Sequence, residues 1–339
     1  MKIKLKWIVA IETFTILFLL IFLMSRNKST ALPKEIQNNH QGLLSPRIYS
    51  GVLKPQSFLI TNFEPLKDKM EEYIQENRIN VSIYVENLRN GAQIGINEDV
   101  GMYPASLNKL PVAILIMDKI ERGELSFQTI IQINESDLRD SQSELYKNKI
   151  TKASVQTLFE KMLKDSDNTA FYALLRNINE HDLEILLNYY SLDPKSTYLA
   201  PNKYNKSPNL VSAVELSNIF TSLYLSTLLQ SNSSEYILSL LTNNIFNLTK
   251  IALLPEDVKV AQKFGAYYVG DIKFFHDCGI MYSGETRLLY CIMTNDLDQQ
   301  EAINVIGTLV HAINAYSNAT REDLDTFKRQ GSISLVTKV

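Results

Sequence analysis

Strand-like patterns stand near both ends of this 339-residue chain, on either side of a long helical middle. Towards the N-terminus, Val81–Val85 and Ala92–Ile96 flank Asn90-Gly91, a tight-turn sequence that favours a β-hairpin. Stretches rich in β-branched and aromatic residues predict three later strands: 258–264, 272–281 and 287–294. The early hairpin can join these strands in one antiparallel sheet. We therefore predict an α+β fold: an antiparallel β-sheet flanked by terminal helices, plus an all-α lobe.

Helical periodicity marks the segments beside the strands and the whole middle of the chain. Two helices are predicted to cover the sheet, at 63–75 and 299–316. Five more are predicted for the helical lobe, which extends to about Leu254: 107–122, 155–163, 168–176, 182–190 and 211–229. Thr151 and Ser154 are candidate N-caps for the helix that starts at 155.

The N-terminal segment is a predicted membrane anchor. Three lysines precede the almost uninterrupted apolar run Trp7–Met24, which is about 27 Å long as a helix and so matches the hydrocarbon core of a bilayer. A cleaved signal peptide is the alternative, but Ser25–Lys28 makes a poor cleavage site. The lysines favour a cytoplasmic N-terminus with the rest of the chain outside. Residues 7–24 would then contact membrane lipid.

The composition of successive segments predicts how the chain is divided. After the anchor, residues 1–24, we predict a flexible linker at 25–62, a folded domain at 63–318 and a disordered tail at 319–339. The net charge of −3, with acidic and basic residues interspersed, gives no electrostatic footprint for nucleic acid. We find no zinc-ligand spacing and no Gly-rich phosphate loop, so no metal or cofactor is predicted. We expect the protein to be a monomer.

Ser106 and Lys109 carry the chemistry that the sequence predicts. Residues three apart share a helix face, so the Lys109 amine can reach the Ser106 hydroxyl and act as its base. Ser25 and Lys28 have the same S-x-x-K spacing next to the anchor, and we interpret that match as accidental. His181, His276 and His311 lie on different predicted elements without the spacing of a catalytic triad, and we interpret each as a surface or packing residue.

Cys278 and Cys291 fall in adjacent predicted strands. If Gly284 and Glu285 form a two-residue turn, the two cysteines face each other at a non-hydrogen-bonded position, where side chains approach closest. The pattern predicts either a disulfide or a pair of buried free thiols. Tyr267 and Tyr268, a few residues earlier, would either line a cleft or pack on the sheet.

Three motifs in order give the chain a family resemblance. They are Ser106-Leu107-Asn108-Lys109, Ser166-Asp167-Asn168 and Lys263-Phe264-Gly265. With Gly123–Ser126 and Cys278–Ile280 as framework sequences, the chain resembles the penicillin-recognising serine acyl-transferases, most closely the class A β-lactamases. The resemblance covers about residues 65–317 and implies a small-molecule or peptidoglycan-type substrate.

Residue roles follow from the resemblance. Ser106 would be the acylated nucleophile and Lys109 its base, and Ser166 would help pass the proton to the leaving nitrogen. Asn168 would bind the substrate amide, and the backbone amides of Ser106 and Ala266 would form the oxyanion hole. Lys263, with Phe264 and Gly265 beside it, would receive a substrate carboxylate. Ser166 and Asp167 are also ordinary helix-capping residues, which is the alternative interpretation of that motif.

The chain departs from the family at two points. Phe264 replaces a hydroxyl residue that contacts the substrate carboxylate. Class A enzymes carry a water-activating glutamate, in an E-x-x-L-N pattern, on a loop between the second and third motifs. Between Ile185 and Val214 the only acid is Asp193, so we expect this pattern to be missing. Without that glutamate the acyl-enzyme should persist. Two hypotheses result: a serine hydrolase or acyl-transferase acting on β-lactam or cell-wall peptide amides, or a non-catalytic scaffold or binding protein with the same fold.

Overall fold

Strands from the two ends of the chain pair in one sheet, as predicted. The computed structural model describes residues 62–192, 210–269, 271–284 and 286–318, all of which belong to one compact unit. Its strands are β1 (Val81–Asn87), β2 (Gln93–Ile96), β3 (Ile130–Gln132), β4 (Lys152–Ser154), β5 (Lys259–Val269), β6 (Ile272–Ser283) and β7 (Thr286–Asn295). Five of them form an antiparallel sheet in the order β2-β1-β7-β6-β5, and β3 pairs with β4 separately.

Helices account for most of the remaining described residues. They are α1 (Glu64–Asn77), α2 (Lys109–Glu121), α3 (Glu144–Lys147), α4 (Val155–Lys164), α5 (Asn168–Leu175), α6 (Glu180–Tyr189), α7 (Ala213–Leu225), α8 (Ser231–Leu241), α9 (Leu248–Ile251) and α10 (Gln299–Asn318). Short 3-10 helices precede α2 at Ala105–Asn108 and α3 at Glu135–Asp137. The predicted α+β architecture is confirmed.

Two hydrophobic cores lie on the two faces of the sheet. On one face, α1 and α10 bury residues such as Leu66 and Ile306 against Ile83. On the other face, the helical lobe built around α2, α4 and α7 packs against Met293 and Ile280. Alternate residues of a strand point to opposite faces, so each strand contributes to both cores. Side chains of β5 that face the helical lobe are therefore in position to meet residues from it.

Several predicted boundaries need correction. The predicted helix 211–229 is shorter, because Val211 forms a bridge with Met102 and Ser212 caps α7 in a capping box with Glu215. Ser154 is the N-cap of α4, as predicted, whereas Thr151 is not. The sequence reasoning missed α3, α8 and α9 and the short pair β3 and β4, and it ended β5 five residues too early, at Phe264 instead of Val269.

The register of β6 on β7 is the predicted one. Ser283 pairs with Thr286 and Cys278 with Cys291, and the two cysteines form a disulfide. Both cysteines are fully buried on the helical-lobe face of the sheet. The disulfide alternative is therefore the one the structure contains.

The predicted anchor, the linker up to residue 61 and the tail from 319 lie outside the described residues. Among the helices that are described, none combines the length and apolar character needed to cross a bilayer.

Candidate active site

Ser106 and Lys109 lie at the junction between a 3-10 helix and α2. Ala105 has a left-handed backbone, φ 49°, and its 3-10 helix brings Ser106 onto the same face as the first residue of α2. The Lys109 Nζ donates a hydrogen bond to the Ser106 Oγ over 2.6 Å. Lys109 is almost wholly buried, with its Nζ 5.4 Å from the ring centroid of Phe171. The predicted nucleophile and base are thus in direct contact.

The environment of Lys109 favours the neutral amine. Burial is the largest effect and lowers its pKa to about 7, while the carboxylates of Asp140 and Asp167 act in the opposite direction. A lysine with a pKa near neutrality carries a free lone pair in a substantial fraction of molecules at pH 7. The side chain can therefore take a proton from Ser106.

Asn168 reaches the same amine from α5. Asp167 is the N-cap of this helix: its Oδ1 accepts from the backbone N–H of Ala170 over 2.9 Å, and its Oδ2 accepts from Ser143 Oγ over 2.7 Å. Capping places Asn168 in the first turn, where its Oδ1 accepts from Lys109 Nζ over 2.6 Å. The capping interpretation holds for Asp167, while Asn168 lies at the site.

Asp140 is a site residue that sequence reasoning missed. Its Oδ2 accepts a hydrogen bond from Asn168 Nδ2 over 2.9 Å, which orients the amide oxygen of Asn168 towards Lys109. Asp140 lies in the segment between two short helices and belongs to none of the three motifs. No spacing rule connects residues 140 and 168, so only the folded chain reveals this contact.

Ser166 and Lys263 meet across the cleft between the lobe and the sheet. The Lys263 Nζ donates to Ser166 Oγ over 2.9 Å and to the carbonyl of Phe264 over 3.1 Å. Ser166 has a left-handed backbone, φ 58°, and precedes the N-cap of α5. Capping is therefore not the role of Ser166, whose hydroxyl contacts the edge strand instead.

Lys263 is fully buried on β5, opposite Cys278 of β6. Its pKa is well below the usual range, first because of burial and second because of the nearby Lys109 charge. Asp277, one residue before Cys278, is also fully buried and accepts a hydrogen bond from Tyr290 Oη over 2.6 Å. Burial raises the pKa of Asp277 well above its usual range.

Gly265 lets β5 approach the nucleophile. A Cβ at this position would lie 2.8 Å from the carbonyl oxygen of Pro104 and 3.1 Å from the backbone nitrogen of Ser106. Only a glycine permits this approach, which places the backbone of the next residue, Ala266, beside the nucleophile turn. The predicted oxyanion donors, the amides of Ser106 and Ala266, thus belong to two backbones in close contact.

The histidines do not form a triad. His276 is buried behind the site: it accepts a hydrogen bond from Thr294 N–H at Nδ1 and lies 2.8 Å from the carbonyl of Tyr103 at Nε2. These partners fix a neutral ring that donates to Tyr103, and burial lowers the pKa of His276 to about 4. His181 is exposed at the start of α6. His311 contacts Ala252 on the opposite face of the domain.

Tyr267 and Tyr268, which follow Gly265 on β5, have different environments. Tyr267 packs on Tyr103, with 4.7 Å between ring centroids, and Tyr103 in turn lies 6.4 Å from Phe274. Tyr268 on the opposite face of the strand is 37% exposed. Tyr267 therefore combines sheet packing with a position close to the segment that leads to Ser106.

The sequence reasoning wrongly excluded an E-x-x-L-N pattern: Glu184 directly precedes the stretch Ile185–Val214, and Asn188 lies within it. Glu184 lies in α6, however, and its side chain is exposed. This helix begins next to Arg122, which forms a salt bridge with Asp182 at the C-terminal end of α2. Ser106 is at the other end of α2, about 18 Å away. Glu184 is therefore remote from the nucleophile, and Asp193 lies outside the described residues.

The fold and the contacts of the serine with its lysine define a class: serine hydrolases of the β-lactamase or penicillin-binding type. The model of the β-lactamase enzyme family matches residues 65–317, so the chain belongs to this family.

Solved structures with the same fold have low sequence identity to this chain. A β-lactamase from Chitinophaga pinensis is 19% identical, with a TM-score of 0.65 over 74% of this chain and 99% of that one. The extended-spectrum β-lactamase TLA-1 is 18% identical, with a TM-score of 0.65 over 75% and 98% of the two chains. A mutant of PBP-A in an acyl-enzyme complex with penicillin G is 17% identical, with a TM-score of 0.63 over 75% and 97%. No curated protein sequence matches the chain.

Proposed function

We propose that this protein is a membrane-anchored serine hydrolase or acyl-transferase whose domain lies outside the cytoplasm and acts on β-lactam or cell-wall peptide amide bonds. One observation carries the proposal: the Lys109 Nζ lies 2.6 Å from the Ser106 Oγ in a buried setting that lowers the lysine pKa to about 7. Such a pair is what covalent catalysis by an alcohol requires. The apolar run at residues 7–24 supports the anchor.

The reaction would begin with proton transfer from Ser106 to the neutral amine of Lys109. The Oγ then attacks the carbonyl carbon, and the backbone amides of Ser106 and Ala266 stabilise the oxyanion. As the tetrahedral intermediate collapses, the carbonyl–nitrogen bond breaks and the leaving nitrogen receives the proton from Lys109 through Ser166. The products are an ester on Ser106 and a free amine. Asn168, held by Asp140, would position the substrate amide.

Breakdown of this ester needs a base that activates water, or an amine acceptor. Glu184 is too far from Ser106 to serve. We infer that the acyl-enzyme is long-lived and that efficient β-lactam hydrolysis is not the main activity.

A non-catalytic scaffold is the second candidate function. The observation that favours it is Phe264, which stands in the third motif where the family has a hydroxyl residue. Against it, two lysines are buried with their Nζ atoms on serine hydroxyls, at 2.6 Å and 2.9 Å. Buried lysines are costly, so a scaffold with no chemistry to perform gains nothing from keeping both.

Intact-mass analysis of the purified full-length protein after incubation with benzylpenicillin tests the proposal. We expect an adduct on Ser106 that forms in the wild type and persists for many minutes. Ser106→Ala should abolish it, whereas Ser25→Ala, which disrupts the second S-x-x-K sequence, should leave it unchanged. An adduct retained by Ser106→Ala would overturn the assignment of the nucleophile. Absence of adducts with benzylpenicillin and with activated amides or esters would favour the scaffold.

A further inference from the structure

The Lys263 ammonium has little capacity left for a ligand. Its side chain has no solvent exposure. Two of its hydrogen bonds go to Ser166 Oγ and to the carbonyl of Phe264, and the Nζ lies 4.6 Å from the centroid of the Phe264 ring. An ammonium group has three donors. Two of these donors are engaged within the protein, and the face of the Phe264 ring lies beside the amine.

The ring of Phe264 is held firmly in this place. It lies 5.4 Å from the ring centroid of Phe246 and 6.2 Å from that of Phe275, so three aromatic rings form one cluster. Such a cluster resists displacement because moving one ring disrupts the packing of the others. Phe264 also offers no donor to an anion. The position beside Lys263 is therefore apolar and fixed.

The charge state of Lys263 also disfavours carboxylate binding. Burial and the neighbouring Lys109 charge disfavour the charged form of Lys263 and lower its pKa, and the Asp277 carboxylate opposes them only in part. A carboxylate entering this place would lose its hydration, find two of the three ammonium donors already engaged, and gain no hydroxyl from Phe264. Burying a carboxylate without full pairing is strongly unfavourable.

We infer that the site selects acyl donors whose leaving group carries no carboxylate next to the scissile bond, that is, neutral amides or esters, and discriminates against free acids. The inference rests on the proposed function, because it concerns the substrate of the same nucleophile. Phe264 is the specificity-determining residue. The ring and the engaged Lys263 exclude the anion, and the covalent step on Ser106 is the one described above.

Benzylpenicillin and its methyl ester provide a matched pair of probes, because they share the reactive amide and differ only in the charge of one group. The rate of adduct formation on Ser106 is measured by intact mass with the full-length protein. We expect the methyl ester to react roughly tenfold faster than the free acid in the wild type. Phe264→Thr should lower this ratio by about tenfold or reverse it, since a hydroxyl replaces the ring.

Two control variants make the test specific. Tyr268→Thr removes an exposed aromatic residue from the same strand, and Phe264→Leu keeps an apolar side chain within the aromatic cluster. Both should retain the wild-type ratio. A wild type that prefers the free acid overturns the inference but not the proposed function, and so does an unchanged ratio in a folded Phe264→Thr. No adduct with either probe overturns the inference, and no adduct with the activated amides or esters as well overturns the proposed function.

Discussion

The Lys263 Nζ and the Ser166 Oγ, 2.9 Å apart, connect the edge strand of the sheet to the helical lobe. Ser166 belongs to the turn before α5, and Lys263 lies in the middle of β5. The same turn leads through Asp167 to Asn168, which holds Lys109. The two lysines are therefore linked through three consecutive residues, 166–168. A substitution at either lysine or in this turn should change the reactivity of Ser106.

Two substitutions of Ser166 should distinguish the effect of its hydroxyl on acylation from the effect of its left-handed backbone on stability. Ser166→Gly loses the hydroxyl but readily adopts φ 58°, whereas Ser166→Ala loses it and must hold a strained conformation. Both variants should acylate more slowly, and Ala should be less stable than Gly by about 1 kcal/mol. Urea unfolding and adduct formation measure the two effects. A Ser166→Gly protein that acylates at the wild-type rate would contradict a role in proton transfer.

Acylation should depend on pH through Lys109. The neutral amine is the active form and its pKa is about 7, so the rate should rise with pH and level off above that value. Asp140→Asn keeps an acceptor for Asn168 but removes a charge that raises the lysine pKa. The midpoint should move to lower pH in this variant. Lys109→Arg should lose nearly all activity, because guanidinium does not deprotonate.

Adduct formation at a series of pH values checks both expectations. An Asp140→Asn midpoint equal to or above that of the wild type would show that this carboxylate does not tune the lysine.

Gly265→Ala should disable the site sterically. The added Cβ meets Pro104 O at 2.8 Å and Ser106 N at 3.1 Å, so β5 must move away from the nucleophile turn. We expect a loss of acylation of at least roughly a hundredfold, as for the removal of one oxyanion donor. Gly307→Ala is the matched control, since its Cβ meets Ile251 at 2.8 Å far from the cleft. That variant should lose stability while its folded fraction still acylates normally.

The disulfide should stabilise the sheet beneath Lys263. Replacing both Cys278 and Cys291 by alanine should lower the free energy of unfolding by about 2–5 kcal/mol, measured with denaturant. The unreduced wild type should be two hydrogens lighter than the reduced protein. Alkylation of both thiols in unreduced, unfolded protein would refute the bridge.

His276 should make the fold acid-sensitive. Its pKa falls from 6.5 to about 4 on folding, so the unfolded chain binds the proton more tightly in this range. Stability from this residue is complete above pH 6.5 and is lost as the pH falls towards 4, by about 3 kcal/mol in total. His276→Gln, which keeps a donor for Tyr103, should flatten this dependence. An identical pH slope in the variant would contradict the assignment of a neutral ring.

Contacts between residues that are close in sequence could be predicted from local sequence patterns. Ser106 and Lys109 meet because residues three apart share a helix face, and the cysteine pairing followed from one assumed turn. The contact of Asp140 with Asn168 depends on how two distant segments pack, which no spacing reveals. The missed helix α8 begins with Ser231-Asn232-Ser233-Ser234, a sequence typical of loops, and packing of Ile237 and Leu241 outweighs that preference.

The pairing of β1 with β7 sets an order of events during synthesis. Val81 has Thr294 as its partner, so β1 gains this neighbour only after nearly the whole domain has been translated. Pairings between such distant residues slow folding, because a long loop must close first. Ser106 and Lys109 are only three residues apart, so their contact requires no long loop to close. The contact of the nucleophile with its base is thus local in sequence, whereas the sheet that borders the cleft is completed only by strands from the end of the domain.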